Sequence, residues 1–118
     1  MKFSGDVTEC PVRKALSVLG GKWKLVLIYQ IGEETIRYGE LRKRLPDISE
    51  RMFILELKSL LDDGVIARRS HGEVPPRVDY WLTERGKRVL PLIAQLEQFG
   101  LSIAKAASDA PAGNQELV

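Results

Sequence analysis

One cysteine and one histidine stand among the 118 residues. A lone thiol excludes an intramolecular disulfide and a cysteine zinc cluster, and nothing in the spacing of Cys10 and His71 supports a metal or nucleophile pair. Long apolar runs are missing as well. Residues 25–29 form the longest near the start, far short of the ~20 residues a membrane helix needs, and residues 1–9 hold no apolar leader segment. There is no Ser–His–Asp set, no phosphate-binding glycine loop and no internal repeat, so no enzyme, no cofactor and no metal is expected. The expected location is cytoplasmic, with no membrane partner. Charge of one sign is scarce too, since 18 Lys/Arg meet 16 Asp/Glu for a net charge of +2.

What is present is an ordinary globular composition, 44% hydrophobic and 29% charged, on a chain long enough for one domain and one modest core. The charge is unevenly placed. Residues 1–88 hold 17 of the 18 basic and 13 of the 16 acidic side chains, a balance of +4, whereas residues 89–118 balance at −2. A basic body with an acidic tail suits a nucleic-acid surface, and a solvated mixed-charge surface explains it equally well.

The punctuation of the chain predicts the elements. Pro11 after Thr8 or Cys10 opens a first helix, with Val12, Ala15, Leu16, Val18 and Leu19 at helical spacing, and Gly20-Gly21 stops it. A second helix from about Lys22 is apolar around most of its circumference and ends at Gly32, which makes it the central core helix. A brief strand is expected around Thr35-Ile36-Arg37. A third helix spans about 38–45, and a fourth about 49–63, with Ser49 as N-cap and Met52, Phe53, Leu57 and Leu60 as the buried stripe. Residues 65–69 and 78–82 read as a β-hairpin. Thr83 then caps a long helix over 84–99, and Gly100 separates it from a short one over 101–107. The domain is expected over 10–107, with flexible termini at 1–9 and 108–118. The fold class is mainly α with a small β-hairpin.

Helices 38–45 and 49–63, joined by the Pro46-Asp47 turn, form a helix-turn-helix. In that motif the start of the second helix reaches base edges in the major groove. Ser49, Glu50 and Arg51 stand there, and Arg51 is suited to a bidentate guanine contact. Arg42, Lys43, Arg44 and Lys58 are candidates for phosphate contacts, which position without specifying. Arg68, Arg69 and Arg77 flank the hairpin, either along the DNA backbone or as solvated edge protection. Tyr38 either caps the third helix or touches a phosphate. His71 is a wing-tip contact or a solvated loop residue, and Trp23 and Trp81 read as core aromatics.

Seven blocks carry a resemblance: Cys10-Pro11-Val12, Gly20-Gly21-Lys22-Trp23, Arg37-Tyr38-Gly39-Glu40-Leu41, Ile48-Ser49-Glu50-Arg51-Met52, Asp63-Gly64-Val65-Ile66, Val74-Pro75-Pro76-Arg77-Val78-Asp79-Tyr80 and Leu82-Thr83-Glu84-Arg85-Gly86. In this order and spacing, from about Cys10 to Gly100, the chain resembles the HxlR-type bacterial winged-helix regulators, related in fold to MarR-type proteins. The resemblance implies a winged helix-turn-helix with extra N- and C-terminal dimerisation helices. It further implies a transcriptional regulator whose homodimer presents its recognition helices to a palindromic operator. Where the family usually has leucine, threonine and often glutamine, this chain has Phe53, Ile54 and Glu56. Ile54 offers a thymine methyl a partner but no hydroxyl, and Glu56 repels a phosphate or accepts from a cytosine.

In several members of that family the cysteine before the proline senses oxidants or electrophiles, and Cys10 holds this position. A helix N-terminus favours its thiolate, with Arg13 or Lys14 near; the alternative is a small inert residue. Val12, Leu16 and Leu19 at one end, and Leu92, Ile93, Leu96, Phe99 and Ile103 at the other, form more apolar surface than one small domain covers, which predicts pairing of two copies. The partners expected are double-stranded DNA, a second copy of the chain and, as an open further one, a small reactive or aromatic inducer. The rival reading is a winged-helix protein-interaction module without DNA binding, favoured by Glu50 and Glu56.

Overall fold

The computed structural model describes residues 10–72 and 74–109, so the expectations for residues 1–9 and 110–118 lie outside the described residues. Helix α1 spans Pro11–Leu19, with proline in its first turn and Cys10 at the N-cap position. Helix α2 spans Lys24–Ile31 and drives Leu27, Ile28 and Ile31 into the centre of the core. It begins two residues later than expected, because Gly21 takes a left-handed φ of 96° and Trp23 takes the N-cap position. Strand β1 (Ile36–Arg37) leads into α3 (Tyr38–Lys43), and α4 follows over Glu50–Asp62.

Strands β2 (Ile66–Ser70) and β3 (Val78–Leu82) form the expected hairpin, with β2 shifted one residue from the expected start. The sheet is larger than a hairpin. β1 pairs antiparallel with β3 on its other side, Ile36 opposite Tyr80 and Arg37 opposite Asp79, so the strand order is β1-β3-β2. A two-residue strand carries too little pattern to declare its partner, and only the fold brings it to β3.

The expectation of one helix over 84–99 is corrected. Helix α5 spans only Glu84–Lys87, and α6 starts at Leu90 and runs to Asp109. Pro91 is the reason: it has no N–H to continue the α5 ladder and is well placed in the first turn of a new helix. The expected break at Gly100 does not occur, since α6 passes through it. An interior glycine weakens a helix by about 1 kcal/mol relative to alanine but does not end one.

The core joins α2, α3, α4 and the sheet, with Phe53, Leu27, Ile28, Ile31, Leu41 and Leu60 fully buried. Met52 is a second correction: it is exposed, and the buried stripe of α4 is Phe53, Leu57 and Leu60. Trp23 packs half-buried against the core, and Trp81 is half-buried on β3. The joint between hairpin and α5 depends on a close approach. A Cβ on Gly86 would lie 2.1 Å from the Val65 carbonyl oxygen, so only glycine fits there. The Thr83 hydroxyl accepts from Gly86 N–H at 3.1 Å and donates to the Gly64 carbonyl at 2.6 Å, which ties the hairpin to α5. The result is a winged helix-turn-helix, with α3 and α4 as the motif and β2–β3 as the wing.

Candidate nucleic-acid interface

The turn between α3 and α4 is held from below by Leu45 and Ile48, both buried. Ser49 caps α4 as expected, its hydroxyl accepting from Met52 N–H at 3.1 Å. Glu50 is bound to the preceding helix. It accepts a short hydrogen bond from the Tyr38 hydroxyl and another from Arg42 Nε at 3.1 Å. These two donors hold the Glu50 carboxyl below its ordinary pKa, the Tyr38 bond first. Burial, reinforced by the bond to Glu50, raises the Tyr38 phenol to about 12. The Tyr38 ring meets Phe53 edge-on at 5.2 Å. Its hydroxyl therefore does not cap α3; it joins α3 to α4 through Glu50.

The α3 arginines are similarly engaged. Arg42 also donates to the Leu45 carbonyl at 2.8 Å and lies 5.5 Å from the Phe53 ring centroid. Arg44 donates to the Gln30 carbonyl at 2.8 Å and to Glu34 at 3.0 Å, with Glu40 at 3.9 Å. Glu56 corrects a further expectation. Its side chain is 14% exposed and pairs with Lys24 of α2 at 3.4 Å, so it faces the body of the protein and neither repels a phosphate nor meets a cytosine.

A different set of cations is open. Among the described residues Lys43, Arg51, Arg68 and Arg69 are exposed and carry no hydrogen bond or ion pair. Lys58 pairs only with Asp62 one turn on, at 3.4 Å, both well exposed. Ile54 is 50% exposed on the same side of α4. Two residues with this placement escaped the sequence reading. Arg37, exposed beside the start of α3, was hidden because its strand is so short. Leu55, 48% exposed, stands one turn after Arg51, and that i,i+4 spacing was the signal for it.

Between α3 and the wing lies an open groove of 880 Å³, with Arg37, Lys43, Arg68 and Arg77 around its Tyr38 and Tyr80 walls. On the opposite face of the sheet, Asp79 is 6% exposed, the one buried charged residue among the described residues. Arg77 reaches it at 3.2 Å and His71 Nε2 at 2.9 Å. The Arg77 hydrogen bond lowers the Asp79 pKa most, against the opposing effect of burial. His71 N–H also donates to the Arg77 carbonyl at 2.9 Å, so both side chains brace the base of the wing.

A second surface is apolar. Val12 and Leu16 on α1, and Leu92, Leu96, Phe99 and Ile103 on α6, are exposed, Val12 at 66% and Phe99 at 64%. Leu19 and Ile93, expected on this surface, are buried in the chain's own core. A 280 Å³ cleft between α2 and α6, lined by Leu25, Val26, Tyr29 and Leu96, adjoins it, and Tyr29 donates to Glu97 at 2.9 Å across its edge. Cys10 is half-buried at the start of α1, and its side chain makes no capping hydrogen bond. Among the described residues no three His, Cys, Asp or Glu side chains are grouped to hold a metal, and no helix is long and apolar enough to cross a membrane.

Comparisons with known proteins agree with this geometry. The model of the HxlR-like helix-turn-helix family matches residues 18–108. The uncharacterized HTH-type transcriptional regulator YdeP of Bacillus subtilis is 42% identical over 97 residues, 82% of this chain and 76% of that protein. A crystal structure from Porphyromonas gingivalis W83, described as a MarR-family transcriptional regulator, superposes with a TM-score of 0.79 at 48% identity, covering 86% of this chain and 97% of that one. The redox regulator HypR in its oxidized form superposes with a TM-score of 0.74 at 41% identity, covering 79% of this chain and 96% of that one.

Proposed function

The chain belongs to the HxlR-like helix-turn-helix family of transcriptional regulators, and on that basis we propose that it binds duplex DNA sequence-specifically, as a homodimer on a palindromic operator. The observation that carries this reading is the division of charge on the helix-turn-helix. Its two acidic side chains on α4 that spoke against DNA, Glu50 and Glu56, are held by Tyr38, Arg42 and Lys24. The cations left open are Arg51 on α4, Lys43 on α3, and Arg68 and Arg69 on the wing, with Lys58 paired only to Asp62 one turn on. In this reading Arg51 and Ile54 meet base edges, and the other cations grip phosphates. Tyr38, Arg42, Ser49 and Glu50 position α4, Arg44 braces α3, and Arg77 braces the wing. The same observation weighs against an interaction module without DNA binding, because that reading rested on the two glutamates.

The exposed apolar faces of α1 and α6 support the dimer, since a surface of this kind on a soluble chain calls for a cover. Cys10 is the proposed site of a redox or electrophile response, supported by its place at a helix N-terminus and by the likeness to a protein described as a redox regulator.

Duplex binding measured over a range of salt concentrations tests the proposal. Affinity is expected to fall with a log–log slope of about −0.9 for each phosphate neutralised. No binding at low salt would sink the DNA reading, and a monomer by light scattering at micromolar concentration would sink the dimer. Induction by hypochlorite or quinone that persists unchanged in Cys10→Ser would sink the sensor.

A further inference from the structure

The outward face of α4 has an unusual composition for a helix that reads base edges. Apart from the cations, its polar candidates at the start of the helix and Glu56 are occupied. The Ser49 hydroxyl caps the helix, Glu50 is bound by Tyr38 and Arg42, and Glu56 turns back to Lys24. With Phe53, Leu57 and Leu60 toward the core, the helical step sets Arg51, Leu55 and Lys58 along the opposite side, with Ile54 next to them. Ile54 and Leu55 are 50% and 48% exposed, and neither belongs to the core. The stripe therefore has a cation at each end and two branched aliphatic side chains in the middle.

An aliphatic pair has no hydrogen-bonding capacity, so it reads neither a purine edge nor the cytosine amino group. The one apolar feature that a base pair presents in the major groove is the C5 methyl group of thymine. The charge around the pair selects the class of partner. Arg51, Arg68 and Lys43 are open cations, and the exposed carboxylates nearest the pair, Glu50 and Asp62, are engaged by Tyr38 and Arg42 and by Lys58. Such a rim suits a polyanion. We infer that Ile54 and Leu55 together read thymine methyl groups, so that the half-site recognised by α4 must carry thymine opposite this pair. Leu55 is thereby a specificity-determining residue. The inference rests on the DNA-binding reading above.

The test uses the full chain and a randomised duplex pool. Bound sequences are enriched, and each enriched duplex is compared with the same duplex in which deoxyuridine replaces thymine, a change that deletes only the methyl group. Binding is expected to weaken about fourfold for each methyl group so removed from the pair, the equivalent of ~0.8 kcal/mol per buried carbon. The doubly substituted Ile54→Ser, Leu55→Gln chain is expected to bind both duplexes alike. Leu55→Gln alone, a surface change that spares the core, is expected to keep only part of the discrimination, and its helicity is checked by circular dichroism. Equal binding of thymine and uracil duplexes by the unmodified chain overturns the inference and leaves DNA binding intact. A uracil penalty that survives in the double variant also overturns it, because another group then reads the methyl. If no duplex binds at low salt, the DNA-binding reading fails first and the inference with it.

Discussion

Arg42-Lys43-Arg44 at the end of α3 and Arg68-Arg69 on β2 look alike as sequence, two dense basic runs on either side of α4. In the fold they differ. Arg42 and Arg44 are committed to Glu50, Glu34 and the carbonyls of Leu45 and Gln30, whereas Arg68, Arg69 and the neighbouring Arg51 face outward without such partners among the described residues. The density of positive charge is the same, but the two arginines of the first run join helices, whereas the arginines of the second stay open. A basic run thus marks a binding surface only when the fold supplies it with no acids or carbonyls of its own.

This contrast predicts opposite phenotypes for similar substitutions. The largest effect is expected from Arg51→Ala, with affinity for an enriched duplex falling about tenfold to a hundredfold, the range for an arginine that reads a base. Its melting temperature should stay where it was, and a fall in melting temperature with unchanged binding would invert the assignment. Next is Arg42→Ala. Removing its hydrogen bonds to Glu50 and Leu45, discounted for partial exposure, should cost about 1–2 kcal/mol of stability in denaturant melts. If Arg42→Ala melted normally yet no longer bound DNA, α3 would belong with the open cations.

Smaller is the effect of Arg68→Ala with Arg69→Ala. The salt slope should become shallower by about 2, with stability unchanged within ~0.5 kcal/mol. The smallest is a pH effect at the brace itself. The folded-state pKa of Tyr38 is raised from 10.0 to about 12. Its contribution is therefore fully present below pH 10 and is lost as pH rises toward 12. Stability measured across this window should fall less steeply for Tyr38→Phe, and an identical alkaline limb would show that the phenol is not the brace.

Much of the motif was legible because short-range chemistry specified it. Ser49 before Glu50-Arg51 announced the N-cap, Gly32 and Pro46 announced two ends, and the alternation around Val78-Asp79-Tyr80 announced a strand. The division at Pro91 was legible in principle and was overridden by the helical pattern on either side of it. Met52 was misassigned because periodicity places a residue on a helix without saying where the core begins and ends. Glu56 was misread for a different reason: its partner Lys24 lies on another helix, more than thirty residues earlier in the chain.

The sequence by itself determined the helices up to α4, the hairpin after them, and that a basic helix-turn-helix is followed by a basic hairpin. These follow from backbone preferences, caps and apolar spacing, all properties of near neighbours. Only the tertiary structure decided which charges are available. An arginine's role depends on the carboxylates and carbonyls that packing brings within about 3 Å, and those partners are set by how α2, α3 and α4 dock. That docking paired Glu50, Glu56, Arg42 and Arg44 with partners in the chain itself. It left Arg51, Leu55 and Ile54 as the face that α4 presents.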